Sequence, residues 1–258
     1  MNLTDTEILK FQKGTPVFLD DICAIYPATL GEIVDLGYDK FQQYLSVILA
    51  NKPMVQKQEN AQLQKILENL TDFQYVLMTA ELDAETNRLL KASFKFFCHE
   101  DILFSLEPAQ IIVGPLNEQH FLTEEKFYDL QRIIKHMYFV EGGEDIIISK
   151  DDSPGVRALK MKMRANREKV RLAKARQAER EKSDLKFSDL IGSITINNCG
   201  LNMENIWNIT YYAFQDQLKR MSWRDQFNIN NQAALAGAKL KKSQLKHWMR
   251  SIASSDKS

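Results

Sequence analysis

The sequence predicts a mainly α-helical protein with a minor β component, an α+β fold. Among its 258 residues only 10 are glycine and 6 are proline, which is little turn-forming material for a many-stranded sandwich or barrel. A hydrophobic content of 44% and a charged content of 26% are ordinary for a globular chain and exclude disorder of the whole chain. Apolar residues also recur at helical spacing over most of the sequence, and β-rich runs are short.

The first fifty residues predict one extended segment and two helices. Residues 16–26 are rich in β-branched and aromatic side chains, with two aspartates interrupting the run, as is typical of a strand. Thr29 and Glu32 have the spacing of a capping box, which opens a helix. Gly37 then ends that helix, and a second one follows with its apolar residues continuing to Leu49.

The region from residue 58 to residue 97 predicts three consecutive helices, the second and third capped by Thr71 and Asp83. The period then changes, and residues 102–106 and 110–113 predict two short strands separated by a turn.

A further helix is predicted to begin at Thr123 and to continue through Met137, and the pair Gly142-Gly143 is predicted to stop it. Residues 145–148 predict a last short strand.

The composition changes near residue 152. Ser153 followed by Pro154 is a typical helix start. From residue 157 to residue 186 there are 12 Lys and Arg against 4 Asp and Glu, so a local charge of +8 is hidden in a chain whose formal net charge is zero. Apolar residues are sparse there, and a helix of this length would extend about 45 Å. We therefore expect an exposed basic arm at 152–186, an N-terminal domain at 1–151 and a small helical domain at 187–258.

The C-terminal part contains the most aromatic stretch of the chain. Asn202 is predicted to cap a helix that runs from Ile206 through Leu218, and Ser222 to open a second short helix before a basic tail. Successive aromatic residues cannot all face one small core, so part of this surface is predicted to contact a partner.

No motif for phosphate binding, metalloprotease, serine hydrolase or EF-hand chemistry is present. The three cysteines are far apart, and adjacent Cys98 and His99 cannot both face one metal on a helix. The four histidines form no i, i+4 pair, and the paired aspartates at 20–21 and 151–152 are interpreted as structural. We expect no catalytic residue, no metal and no cofactor, and hence a protein that is not an enzyme.

The N-terminal residues carry acid where a secretory signal carries lysine or arginine, and no apolar run approaches the roughly 20 residues of a membrane span. We therefore expect a cytoplasmic protein with no membrane partner.

Two candidate sets of protein-binding residues follow from these patterns. The first is aromatic and apolar, and the second is an electrostatic docking face on the basic arm. The sets are Trp207, Tyr211, Tyr212, Phe214 and Leu218, and Arg164, Arg167, Arg171 and Lys174.

Two segments resemble a known family. Residues 25–33, reading IYPATLGEI, and residues 206–217, reading IWNITYYAFQDQ, are similar to segments of tail assembly chaperones of phages, or phage-like elements, of Gram-positive hosts. The resemblance implies a non-enzymatic protein of the host cytoplasm. It would hold the tape-measure protein and recruit tail-tube subunits, with self-association also open.

Two other functions stay open at this stage. A virion structural component of the tail or connector would use the same surfaces for permanent assembly. A nucleic-acid-binding regulator would use the basic arm, although that arm lacks the aromatic residues typical of single-strand binders and is interrupted by glutamates.

Overall fold

The computed structural model describes residues 4–51, 70–115, 117–140, 152–180, 186–197, 200–240 and 246–249. Within these ranges the chain forms nine α-helices, one short 3-10 helix, and antiparallel sheets of two and three strands. The predicted mainly α fold with a minor β component is confirmed. The predicted helical run at 63–69, the Gly142-Gly143 stop and the strand at 145–148 lie outside the described residues.

The first described element is a helix that was not predicted from the sequence. Helix α1 spans Asp5–Lys13, and Thr4 and Glu7 cap it reciprocally: the Thr4 backbone N–H donates to Glu7 Oε2 at 2.7 Å. Gly14 ends the helix in the left-handed conformation with φ of 80°, which glycine adopts without steric cost. Phe11 is fully buried, so α1 contributes to the core.

The predicted N-terminal strand is a hairpin. Strands β1 (Val17–Leu19) and β2 (Cys23–Ile25) pair antiparallel, and the two aspartates that interrupt the run form the turn between them. Helices α2 (Leu30–Leu36) and α3 (Tyr38–Ile48) follow, separated at Gly37 as predicted. The capping box of Thr29 and Glu32 is also confirmed.

The middle of the chain supplies two helices, a sheet and a third helix. Helices α4 (Asp72–Leu82) and α5 (Ala84–Cys98) are capped by Thr71 and Asp83, as predicted. Strands β3 (Ile102–Leu106), β4 (Ala109–Val113) and β5 (His120–Leu122) form a sheet in the order β3-β4-β5, of which β5 was not predicted. Helix α6 spans Glu124–Met137.

Three more helices complete the described chain. Helix α7 (Pro154–Arg180) is the predicted basic helix, and the Val156 N–H donates to Ser153 Oγ at its start. Helix α8 spans Phe187–Asn197, a 3-10 turn spans Ile206–Asn208, and α9 spans Tyr211–Leu235.

Two predictions about the C-terminal helices are wrong. The aromatic helix begins at Tyr211, where Thr210 caps it, because residues 206–208 form a 3-10 turn and Ile209 is extended. Ser222 starts no new helix. It lies within α9, which contains no glycine or proline to interrupt its backbone hydrogen bonds.

One hydrophobic core contains buried residues from both ends of the chain, from Phe11 to Phe214. Tyr138, which follows α6, lies inside this core with 2% of its surface exposed. Its hydroxyl accepts from the Ala28 N–H at 2.9 Å and donates to the Tyr26 carbonyl at 3.0 Å. The boundaries expected at 151 and 187 stay a prediction. In the described residues, Ile191 and Phe214 share the core with N-terminal side chains.

Candidate protein-binding surfaces

The two segments that carry the family resemblance contact each other. The Leu30 N–H donates to the Ile209 carbonyl at 2.9 Å, and the Tyr211 N–H donates to the Ala28 carbonyl at 2.9 Å. These bonds enclose an antiparallel bridge between Thr29 and Thr210. The start of α2 and the start of α9 are therefore joined by hydrogen bonds between main-chain atoms, which every residue carries whatever its side chain.

A glycine allows these segments to approach closely. A Cβ atom on Gly31 would lie 3.1 Å from the Trp207 carbonyl oxygen and 3.6 Å from the Trp207 Cβ. The first of these distances is shorter than ordinary van der Waals contact, so an alanine here would push the 3-10 turn away from α2.

The structure places three of the predicted aromatic contact residues inside the core. Tyr211 and Tyr212 are 7% and 8% exposed, and Phe214 is fully buried. The Tyr211 ring lies 5.5 Å from that of Phe41, and the Tyr212 ring 5.4 Å from that of Phe11. Burial raises the pKa of Tyr211 well above its ordinary value and that of Tyr212 to about 12.

The other two members of that set keep some exposed surface. Trp207 is partly exposed, and its Nε1–H donates to the Met203 carbonyl at 2.8 Å. Leu218 is half-buried against the core. Partner contact at the aromatic set stays a prediction. In the folded chain only these two side chains offer surface to a partner without displacing a core residue.

The inner face of α7 packs toward the rest of the molecule. Its half-buried residues recur at i, i+3, i+4, i+7 and i+8, which is one face of a helix. They are Arg157, Lys160, Met161, Arg164 and Ala165. The first part of the predicted arm is therefore partly covered along one side rather than exposed all round.

Two residues of this face form ion pairs. Arg164 donates to the Asp72 carboxylate at the start of α4 from Nη1 and Nη2, at 3.2 and 2.5 Å. The Asp72 side chain is only 4% exposed and that of Arg164 is 20% exposed. Lys160 Nζ lies 2.7 Å from both carboxylate oxygens of Asp152. Arg164, predicted as a docking residue for a partner, thus binds a carboxylate of its own chain.

Four exposed apolar residues lie along the outer side of α7. Val156, Leu159, Met163 and Val170 have 44%, 59%, 44% and 55% of their surfaces exposed. We call these four residues the outer stripe. Lys162 and Lys169 are also exposed on this helix. Arg167, Arg171 and Lys174 lie on α7 as predicted, but their side chains are outside what the structure describes.

A second apolar surface crosses the three-stranded sheet. Leu103 pairs with Ile112 and Ile112 with Phe121, so the three side chains share one face. Leu103 and Phe121 are 51% and 50% exposed.

The ionisable groups near the surface cleft beside α5 have structural partners. The cleft is lined by Tyr26, Glu32, Lys95 and His99, among others. The Glu32 carboxylate accepts from Thr29, and Lys95 pairs with Asp101 at 3.0 Å. The His99 ring stacks on Tyr26 at 4.0 Å.

Two cysteines lie together in the core. Cys23 and Cys98 are both buried and unbridged. The hydrogen bond to Cys23, together with burial, raises the pKa of the Cys98 thiol well above its ordinary value, which keeps the thiol protonated and unreactive.

Two kinds of site are absent from the described residues. No group of three His, Cys, Asp or Glu side chains among them is arranged to hold a metal ion. Their helices also include none with both the length and the apolar character that a bilayer crossing requires. The expectation that the protein is not an enzyme stays a prediction.

Comparison with known proteins points to phages. A family described as the YomV second domain, which is phage-associated, matches residues 177–253. The matched segment begins in the last turn of α7 and includes α8, the 3-10 turn and α9. No curated protein and no solved structure gives a significant match. The match supports the phage association implied by the resemblance. It covers less than a third of the chain and does not include residues 25–33.

Proposed function

We propose that this protein is a non-catalytic, protein-binding factor of phage tail assembly. In this role it holds the tape-measure protein and tail-tube subunits in the host cytoplasm until they assemble. The proposal combines the phage association of residues 177–253 with the exposed surfaces of the fold.

The outer stripe is the observation that carries the proposal. Helix α7 has 27 residues and so is about 40 Å long. Its first part is attached to the core by the pair of Arg164 and Asp72, and its outer face exposes apolar side chains over several turns. An elongated apolar surface fixed to a folded body suits an extended helical client.

A virion structural component is the alternative that these surfaces also suit. The two functions differ in whether the protein leaves the particle. An assembly factor is released before maturation, whereas a structural component stays at a fixed number of copies.

A nucleic-acid-binding regulator is supported less well. Helix α7 does carry ten Lys and Arg against two Glu, which would favour phosphate. However, its exposed apolar residues would gain nothing from a phosphate backbone, and the helix has no aromatic residue on which a base could stack.

The test is co-expression with the tape-measure and tail-tube proteins encoded by the same genome, together with analysis of purified particles. We expect the chain to co-elute with at least one of the two proteins and to be absent from mature particles by quantitative mass spectrometry. A fixed copy number in particles would favour the structural role. Failure to associate with either protein would contradict both.

A further inference from the structure

The outer stripe has the spacing of a helix–helix seam. Val156, Leu159, Met163 and Val170 follow one another at offsets of three, four and seven residues. These offsets match the a/d repeat of a heptad in which one d position is the exposed Asn166. At 100° per residue, the stripe is centred about 140° from the inner face that contains Lys160 and Arg164. One helix therefore has two separate contact faces.

The described residues contact only the inner of these two faces. Isolated exposed apolar residues are common on any protein surface. Here, however, four of them align over 15 residues, a length of about 21 Å, and each has at least 44% of its surface exposed. An aligned set of exposed apolar residues is typical of a surface that a partner covers.

The charge of α7 limits what that partner can be. Lys162 and Lys169 are exposed, and the helix carries ten cationic residues against two glutamates. The acidic partners found for its cations, Asp72 and Asp152, bind Arg164 and Lys160 on the inner face. A second copy of α7 would bring like charges together, which is unfavourable. A partner with acidic residues beside its apolar ones would be complementary.

We propose that the outer stripe binds an acidic amphipathic α-helix of a partner protein. The apolar residues of that helix pack against the four stripe residues, and its flanking Glu or Asp residues face the lysines of α7. This inference names the binding surface and the partner's chemistry within the function proposed above, and it rests on that function.

A lipid surface and a nucleic acid fit less well. Helices that lie in a membrane interface carry Trp, Phe or Leu on the apolar side, whereas the outer stripe offers one leucine and α7 has no aromatic residue. Nucleic acid would use the cations and leave the apolar row exposed. Unlike nucleic acid, a helical partner uses the apolar row and the cations together.

The test uses the full-length protein and two labelled 28-residue peptides of four heptads. Both have Leu at positions a and d. One has Glu at e and g, and the other has Lys there. We expect fluorescence anisotropy at 50 mM salt to show the acidic peptide binding at least a hundredfold more tightly than the basic one. Its affinity should fall when the salt is raised to 500 mM, since the flanking charges are exposed. Equal affinities, or preference for the basic peptide, would overturn the proposal.

Two double variants locate the surface. Leu159→Ser with Met163→Ser should weaken binding of the acidic peptide at least tenfold, whereas Leu82→Ser, at a leucine that is 78% exposed on α4, should leave it unchanged. Lys162→Glu with Lys169→Glu should weaken the acidic peptide and strengthen the basic one. All of these positions are exposed, so circular dichroism and melting temperature should match those of the wild type. Unchanged binding in both double variants would overturn the assignment.

Parallel titrations test the rival ligands. Vesicles of three parts phosphatidylcholine to one part phosphatidylglycerol, and a 20-base-pair DNA duplex, should bind more weakly than the acidic peptide. The proposal would be overturned if the vesicles or the duplex bound more tightly than the acidic peptide and the Leu159→Ser, Met163→Ser variant lost that binding. The ligand that bound more tightly would then replace the acidic helix.

Failure here can be told apart from failure of the proposed function. If the acidic peptide does not bind but the chain co-elutes with tail proteins, the function stands and the contact lies elsewhere. If the peptide binds but the chain is retained in mature particles, the surface stands and the assembly-factor role is wrong.

Discussion

Replacing Phe214 with alanine tests whether the two ends of the chain form one cooperative unit. Phe214 is fully buried in α9, and its ring lies 5.6 Å from Phe187 and 6.4 Å from Tyr211. Tyr211 in turn contacts Phe41 of α3. The substitution therefore opens a cavity in a core to which both halves contribute.

The expected cost follows from the size of the lost ring. Truncating a fully buried phenylalanine to alanine destabilises a protein by about 3–5 kcal/mol. For a chain of this size that corresponds to a fall in Tm of roughly 6–20 °C. The matched control is Phe18→Ala, because Phe18 is 67% exposed and its truncation should cost no more than about 0.5 kcal/mol.

The assay is urea unfolding followed by two probes. All three tryptophans lie beyond residue 200, so their fluorescence reports on the C-terminal part, whereas circular dichroism at 222 nm reports on helices throughout the chain. We expect Phe214→Ala to shift both transitions together to lower urea. If only the fluorescence transition moves and most of the helical signal keeps its wild-type midpoint, the reasoning that joins the two halves is wrong.

Three further predictions concern single contacts, each measured by urea denaturation. Tyr138→Phe leaves the Ala28 N–H without its acceptor and should cost about 1–3 kcal/mol; a neutral effect would show that this bond is dispensable. Asp72→Asn should cost about 3 kcal/mol, the lower end for a broken buried pair because part of the Arg164 side chain is exposed. A double-mutant cycle with Arg164→Gln should give a coupling of at least about 1 kcal/mol, and strict additivity would contradict the pairing. Burial raises the pKa of Tyr212 to about 12, so the folded chain keeps a proton that an unfolded tyrosine loses near pH 10. The contribution of this raised pKa to the free energy of unfolding is therefore complete below pH 10, and it is lost as the pH rises from 10 to 12. Tyr212→Phe should flatten that decline, and an unchanged slope would exclude this tyrosine as its source.

Local signals in the sequence were sufficient for most helix starts. The pairs of Thr29 with Glu32 and of Thr71 with Gln74 form capping boxes in the structure, because the cap depends only on residues three apart. The same spacing at Thr4 and Glu7 would have predicted α1. That helix was missed because it contains too few apolar residues for a clear helical period. The continuity of α9 was missed because a serine within a helix resembles a cap when no structure shows its neighbours.

The contacts that define the candidate site are long-range and could not be predicted locally. Nothing near Arg164 in the sequence indicates that Asp72, at the start of another helix, is its partner. The aromatic crowding at 207–214 was correctly noticed, but a sequence read without the fold could not show that Phe11 and Phe41 are available to cover Tyr212 and Tyr211.

The outer stripe could have been predicted from the sequence, since its heptad spacing is local. It was obscured because apolar residues are sparse among the cations of α7. The structure separates the two faces of this helix by showing that Met161 is half-buried while Leu159 is 59% exposed.

The most direct test of the account is tail formation by a phage that carries Leu159→Ser and Met163→Ser in this gene. Both side chains lie on the exposed outer face, so the variant should fold and accumulate normally while losing the proposed client contact. We expect electron microscopy of lysates to show filled heads with few or no tails, and plaque numbers to fall accordingly. Normal tails at normal frequency, with the variant protein present at the wild-type level, would contradict the claim that this helix acts in tail assembly.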